Sequence, residues 1–318
     1  METPTKQARL GSLIVFLSSL LWAGDGPFRK PLLVGGLSVP FVSFLEHLIS
    51  SIASLPGLFR QRGEWKKLTK LQIFGLIYIG AGASALGALL FVQSAVVMNY
   101  NFTVAALLQK LQPIFAIVLA VLFLKEKLHP KFWFFALPAL VGAYLVTFGL
   151  ASPAALFYSG GSLNLLGPAL AVLAAILWAG GTVVGRSLLK NLNFEFVNGA
   201  RFIFGLGFLF LFMLATKGFE FNLMTPFFWR NVIIISLVTG FFALLLYYYG
   251  LKGTKASVAT LMELGYPLAL TAVNWKFLGI TLNVWQIVGA VILLAAVTFL
   301  VLADNNNDSQ ILESEKGV

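Results

Sequence analysis

Long apolar stretches separated by short polar breaks repeat along this chain from residue 10 to residue 303. Ten such runs stand out, at 10–28, 39–59, 71–93, 102–124, 131–150, 163–186, 196–216, 229–250, 256–278 and 282–303. Each is close to the roughly 20 residues that a helix needs to cross a bilayer. They are too long and too continuously apolar for the strands of a membrane barrel. In lipid every backbone polar group must be satisfied internally, and a helix does this within its own segment. The pattern predicts an all-α integral membrane protein with ten transmembrane helices, antiparallel between neighbours because the connections are short.

Composition points the same way. Hydrophobic residues make up 59% of the 318 and charged residues only 11%, against about 25% charged in soluble domains. The net charge of +10 is not a nucleic-acid signature, because the basic residues sit in short loops between apolar runs. With the N-terminus placed in the cytoplasm, 15 Lys and Arg fall on the inner side and 4 on the outer. That bias sets the orientation: both termini are predicted to be cytoplasmic, in an inner or plasma membrane. The run after "METPTKQAR" lacks a small-x-small cleavage pattern and reads as a retained first span. Residues 304–318 read as a polar, disordered cytoplasmic tail.

The chain also repeats itself. "LLWAGDGPFRK" (20–30) returns as "ILWAGGTVVGR" (176–186), "FVSFLEHL" (41–48) as "FVNGARFI" (196–203), and "VAALLQKLQPIF" (104–115) as "VATLMELGYPLA" (258–269), at offsets of 156, 155 and 154. Three ordered matches at nearly constant spacing predict two five-helix halves, 10–150 and 163–303, joined by an external linker at 151–162 after a cytoplasmic N-terminus at 1–9. Five is odd, so the halves enter the membrane from opposite sides. The expected architecture is a pair of inverted five-helix repeats, with a binding site near the midplane where they meet.

"LLWAG", "PIFAIVLAVLFLKEKL" (113–128) and their weaker copies "ILWAGG" and "YPLALTAVNWKFLGITL" resemble the drug/metabolite transporter superfamily, and within it the ten-span EamA-type group. The resemblance covers about residues 10–303. It implies two repeated halves and a secondary transporter. The Arg that this group carries in the second span of a half corresponds to Arg201; the first half has Glu46-His47 there instead.

Ionisable groups inside spans are expensive and usually face a wet cavity or one another. From topology and a rise of about 1.5 Å per residue, Asp25, Glu46 and Lys110 form an outer group, and Arg201 and Glu263 an inner one. Lys110 either lines a cavity or serves as partner to Glu46 or Asp25. Pro113 is expected to free a backbone carbonyl near Gln109. Pro267 matches it in the second half, with Glu263 at the position of Gln109. Two broken helices would then meet, Lys110 holding a substrate carboxylate and Glu263 an amine; a Glu263–Arg201 salt bridge is the alternative. Glu46 and His47 have the chemistry to couple transport to protons, or else Glu46 pairs with Lys110 and His47 is hydrogen-bonded within the bundle. Asp25 and Arg201 complete the coupling or gating candidates, Asp25-Gly26-Pro27 reading as a helix end with a turn. Lys276 reads as reaching outward to water.

Trp22, its repeat mate Trp178, and Tyr247 are candidate cavity walls. Gly80, Ser84 and Gly87 read as a close-packing face. No "GxxxxGK[ST]", "GxSxG" or "HExxH" occurs, and with no Cys and only His47 and His129 neither a metal site nor any cofactor is expected. The sequence reading is a secondary transporter, not an enzyme, whose partners are a small molecule and membrane lipid and which acts as a monomer or homodimer. It exports a small metabolite, amino acids or related amphiphiles first and cationic or lipophilic drugs second; a non-transporting receptor or scaffold is the alternative of another class.

Overall fold

A computed structural model describes residues 4–98, 105, 108–150, 158, 159, 162, 163, 165–278 and 283–316. Among the described residues twelve helices carry the fold: α1 Pro4–Trp22, α2 Asp25–Val34, α3 Val39–Arg60, α4 Lys70–Val97, α5 Gln112–Leu124, α6 Phe132–Phe148, α7 Leu166–Leu188, α8 Phe194–Thr216, α9 Pro226–Lys252, α10 Ala256–Met262, α11 Gly265–Leu278 and α12 Val284–Lys316. A two-residue antiparallel pair, Tyr158–Ser159 with Ser162–Leu163, spans the end of the predicted linker and the first residue after it. Eight helical segments among the described residues are long and apolar enough to cross a membrane, and α5 and α6 are shorter apolar helices. The protein is an all-helical membrane protein. Side chains such as Phe123 and Phe134 are 73% and 74% exposed, which in this setting means exposed to lipid.

Four sequence expectations are corrected. The first span does not stop at residue 28. After a turn at Ala23-Gly24 it resumes as α2 and runs to Val34. Asp25-Gly26-Pro27 therefore starts a helix instead of ending one; Pro27 is tolerated because first-turn N–H groups have no intrahelical acceptor anyway. Arg29 and Lys30, counted as loop residues, lie within α2. The tail is not disordered up to Lys316, because α12 continues through it. No Gly or Pro interrupts residues 304–316, and extending an existing helix is far easier than starting one.

Positions about 155 residues apart carry matching local structure. Ser38 and Asn193, 155 positions apart, cap α3 and α8 through their side chains. Thr69 and Thr225, 156 apart, do the same for α4 and α9. A π-helical stretch interrupts α4 at Tyr78–Leu86 and α9 at Ile235–Phe242. Such stretches are uncommon and cluster at functional sites. The fourth and ninth runs are both broken, at Lys110-Leu111 and at Glu263-Leu264.

The end caps of α3 and α8 are also tied to each other's helix. Glu220, just past α8, accepts the backbone N–H of Ser38 at 2.7 Å. Glu64, just past α3, accepts the backbone N–H of Asn193 at 3.0 Å through both oxygens. Glu64 and Glu220 are 156 positions apart, so the two ties are counterparts at opposite ends of the packed α3–α8 pair. Arg60 adds an ion pair to Glu195 at 2.8 Å.

Small residues set the helix separations. A Cβ on Gly142 of α6 would lie 2.9 Å from the Gly289 carbonyl oxygen of α12, and one on Gly289 2.9 Å from that of Gly142. In α4, Gly80 abuts the Arg201 carbonyl oxygen and Gly87 abuts the Trp178 indole, as a close-packing face requires.

Candidate functional site at the helix breaks

The two interrupted helices meet. Pro113 is the second residue of α5 and Pro267 the third of α11, positions where a missing N–H costs little. The first break falls at Lys110-Leu111, immediately after the residue whose carbonyl was expected to be freed. Each break halts the chain in mid-span and leaves side chains free to reach across. Gln112 Nε2 donates to Glu263 Oε2 at 2.7 Å and bridges the breaks. The Tyr247 hydroxyl donates to Glu263 Oε1 at 2.8 Å, and the Thr182 hydroxyl lies 3.5 Å from the same oxygen. The Thr182 and Tyr247 hydroxyls are 2.9 Å apart. Glu263 thus joins α5, α7 and α9. Trp22, at the end of α1, sets its ring 5.7 Å from that of Tyr247 at 48°.

Lys110 belongs to this group and not to an outer one. Its ammonium lies over the ring of Tyr266 at 4.8 Å, three residues past Glu263 at the second break. It forms no ion pair with Glu46, Asp25 or any other described residue. The side chain is partly exposed. Gln109 is beside it, its Oε1 buried without a hydrogen-bond partner.

The second group gathers around Arg29, which the sequence reading missed. Arg29 Nε donates to Asp25 at 2.6 Å and Nη2 to both Asp25 and Glu46 at 2.8 Å. The Thr239 hydroxyl of α9 lies 3.2 Å from Asp25 Oδ1 and 2.9 Å from the Ile235 carbonyl oxygen. Glu46 is therefore paired with Arg29 and not with Lys110. The clue was present: Asp25 and Arg29 are four residues apart, so they share a helix face once α2 is recognised as a helix. His47 turns away from its neighbour. Its Nδ1 lies 2.9 Å from the Ser43 carbonyl oxygen and its Nε2 2.9 Å from the Ser84 hydroxyl. A carbonyl only accepts, so Nδ1 carries the proton and Ser84 donates to Nε2, a tautomer assigned from these partners.

Arg201 does not pair with Glu263. Nη1 donates to the Tyr248 hydroxyl at 3.2 Å, the guanidinium lies 5.8 Å from that ring, and Nε is buried without a partner. Trp178 stays apart from Trp22: it packs on Phe91 at 5.2 Å, against α4. Lys276 is exposed, as expected. Glu126, in "LKEKL", was also missed as a contact residue. It accepts from the backbone N–H groups of Ala256 and Ser257 at 2.7 and 3.0 Å and from the Ser257 hydroxyl at 2.6 Å, capping α10 from the loop after α5. Among the described residues no group of three or more potential metal ligands occurs.

A lipid-embedded helical bundle whose interrupted helices face each other with polar side chains has the construction of a membrane carrier. The model of the EamA-like transporter family matches residues 9–148 and again 165–302, and the chain belongs to that family, within the drug/metabolite transporter superfamily. A riboflavin transporter of Fusobacterium nucleatum, ImpX, is 36% identical over 293 residues, which span 90% of this chain and 96% of that protein. An uncharacterized transporter of Clostridium kluyveri is 25% identical over 293 residues, 89% of this chain and 90% of its own length. One solved crystal structure, 14% identical, superposes with a TM-score of 0.69 over 90% of this chain and 94% of the other; that likeness is one of fold alone.

Proposed function

We propose that this transporter carries riboflavin or a closely similar flavin by alternating access between two inverted five-helix halves, residues 10–150 and 163–303, with both termini in the cytoplasm. The observation that carries the reading is the junction of the two broken helices through Gln112 and Glu263 beside the Trp22–Tyr247 ring pair. A flavin is a flat heteroaromatic ring with a polar edge and a hydroxylated chain. Aromatic walls and hydrogen-bonding groups placed together suit such a ligand. The relative named as a riboflavin transporter supports the choice of cargo, since it aligns along nearly its whole length. The paired caps, paired π-helical stretches and paired breaks support the repeat, as does the double match of the family model. A site at the seam of inverted repeats, formed by discontinuous helices, fits alternating access.

The second reading keeps amino acids or related amphiphiles as exported cargo. It is favoured by the unpaired Lys110 ammonium over the Tyr266 ring, with Glu263 at the same break as Tyr266, a cation and an acid that suit a zwitterion. Gln112 and Tyr247 already donate to the two oxygens of Glu263, which leaves less of it for an amine and puts the flavin reading first. Purified protein in proteoliposomes, offered radiolabelled riboflavin and amino acids with and without a pH gradient, decides between them. Riboflavin is expected to move and Trp22→Ala to slow it by about two- to twelvefold, the scale of a lost aromatic contact. Amino-acid flux without riboflavin flux reverses the order. A dependence on the pH gradient is the measure of proton coupling.

A further inference from the structure

Polar atoms around the breaks fall into two sets. Glu263, Gln112, Tyr247 and Thr182 satisfy one another. Gln109 and Lys110 do not. Gln109 Oε1 is buried with no partner. The Lys110 ammonium has no hydrogen bond or ion pair to a described residue, only the Tyr266 ring at 4.8 Å. The two are consecutive at the break that precedes α5. Native chains rarely leave a buried acceptor or an intramembrane cation unmet, and where they do a functional reason is expected.

The chemistry of the unmet pair is specific. An ammonium only donates, and a carbonyl oxygen only accepts. As consecutive residues at the end of a broken helix, with long side chains that can converge on one ligand, they suit an edge with an acceptor next to a donor. An imide, with C=O beside N–H, is such an edge, and the isoalloxazine ring of a flavin carries one on its pyrimidine side. We infer that Gln109 and Lys110 are the specificity-determining pair for this cargo: Lys110 Nζ donates to an imide carbonyl and Gln109 Oε1 accepts from the imide N–H. This rests on the flavin reading above and names the edge of the cargo that is recognised.

The test is competition against radiolabelled riboflavin uptake in proteoliposomes, using unlabelled riboflavin and its N3-methyl derivative, which has lost the imide N–H. Against the wild type the methylated compound is expected to compete at least about tenfold more weakly, because a polar site rejects a ligand that leaves its groups unpaired. In Gln109→Leu the two competitors converge to within about twofold. Gln109→Glu, which offers only acceptors, keeps the discrimination. Lys110→Met raises the half-saturating riboflavin concentration about tenfold and keeps the preference for the free imide. Equal competition by both compounds against the wild type overturns the inference and leaves the flavin reading standing. A wild type that moves no flavin overturns both. A Gln109→Leu protein that still discriminates removes Gln109 from the role, and melting temperatures of both Gln109 variants show whether each is folded.

Discussion

Arg29 shows how far one side chain can organise a membrane protein. Its side chain is 7% exposed, and its guanidinium holds two carboxylates, Asp25 and Glu46, from α2 and α3. Arginine suits this place because its planar fork serves two acceptors at once and keeps its charge. Removing one member of a buried charge group costs more than the group contributes, because the remaining charges are stranded. Arg29→Ala is therefore expected to lower stability by about 3–5 kcal/mol, seen as a lower melting temperature in detergent. The triple variant Asp25→Asn, Arg29→Met, Glu46→Gln is expected to regain most of that loss. If it melts no higher than Arg29→Ala, stranded charge is not the cause. The partners were not legible in the sequence, where Arg29 reads as an outer loop residue and Lys110 as the natural cation for Glu46. Depth estimated from span boundaries carries an error of several residues, about a helical turn per four. One turn suffices to exchange Arg29 for Lys110.

Among the elements, the α3–α8 pair is held at both ends by carboxylates that accept the backbone N–H of the other helix's cap residue, Glu220 on Ser38 and Glu64 on Asn193. A charged acceptor on an otherwise orphaned helix-end donor is worth about 1–3 kcal/mol. Glu64→Ala and Glu220→Ala are each expected to destabilise by about 1 kcal/mol, with the double variant near the sum, because the sites are far apart. Thermal or chemical denaturation of the four proteins measures this. A double variant no worse than either single one rules out independent ties. The N-caps were readable as residue types, since Ser, Asn and Thr precede their helices. The reciprocal glutamates were not, because a partner about 130 or 180 positions away follows no local rule. The break at Lys110 was anticipated from Pro113. The π-helical stretches were not, since nothing in the composition of Tyr78–Leu86 or Ile235–Phe242 distinguishes them from α-helix.

For the molecule as a whole, the absence of native Cys makes the proposed orientation easy to examine. In intact cells an impermeant maleimide is expected to label Asn222→Cys, between α8 and α9. Lys66→Cys, between α3 and α4, is expected to react only after lysis, as are residues of the C-terminal tail such as Ser309→Cys. Labelling of Lys66→Cys in intact cells reverses the proposed topology. Moving Arg29 and Lys30 from loop into α2 leaves the charge bias pointing the same way, since the inner loops keep their Lys and Arg. The sequence by itself determined the membrane class, the positions of the apolar spans and the family resemblance, because lipid imposes a length and a polarity that every spanning segment must satisfy on its own. Only the tertiary structure decided which polar groups share a site: that Gln112 and not Gln109 meets Glu263, that Glu46 belongs to Arg29, and that Lys110 is left over the Tyr266 ring. Those pairings depend on helix rotation and depth, and both are set by close contacts between segments far apart in the chain.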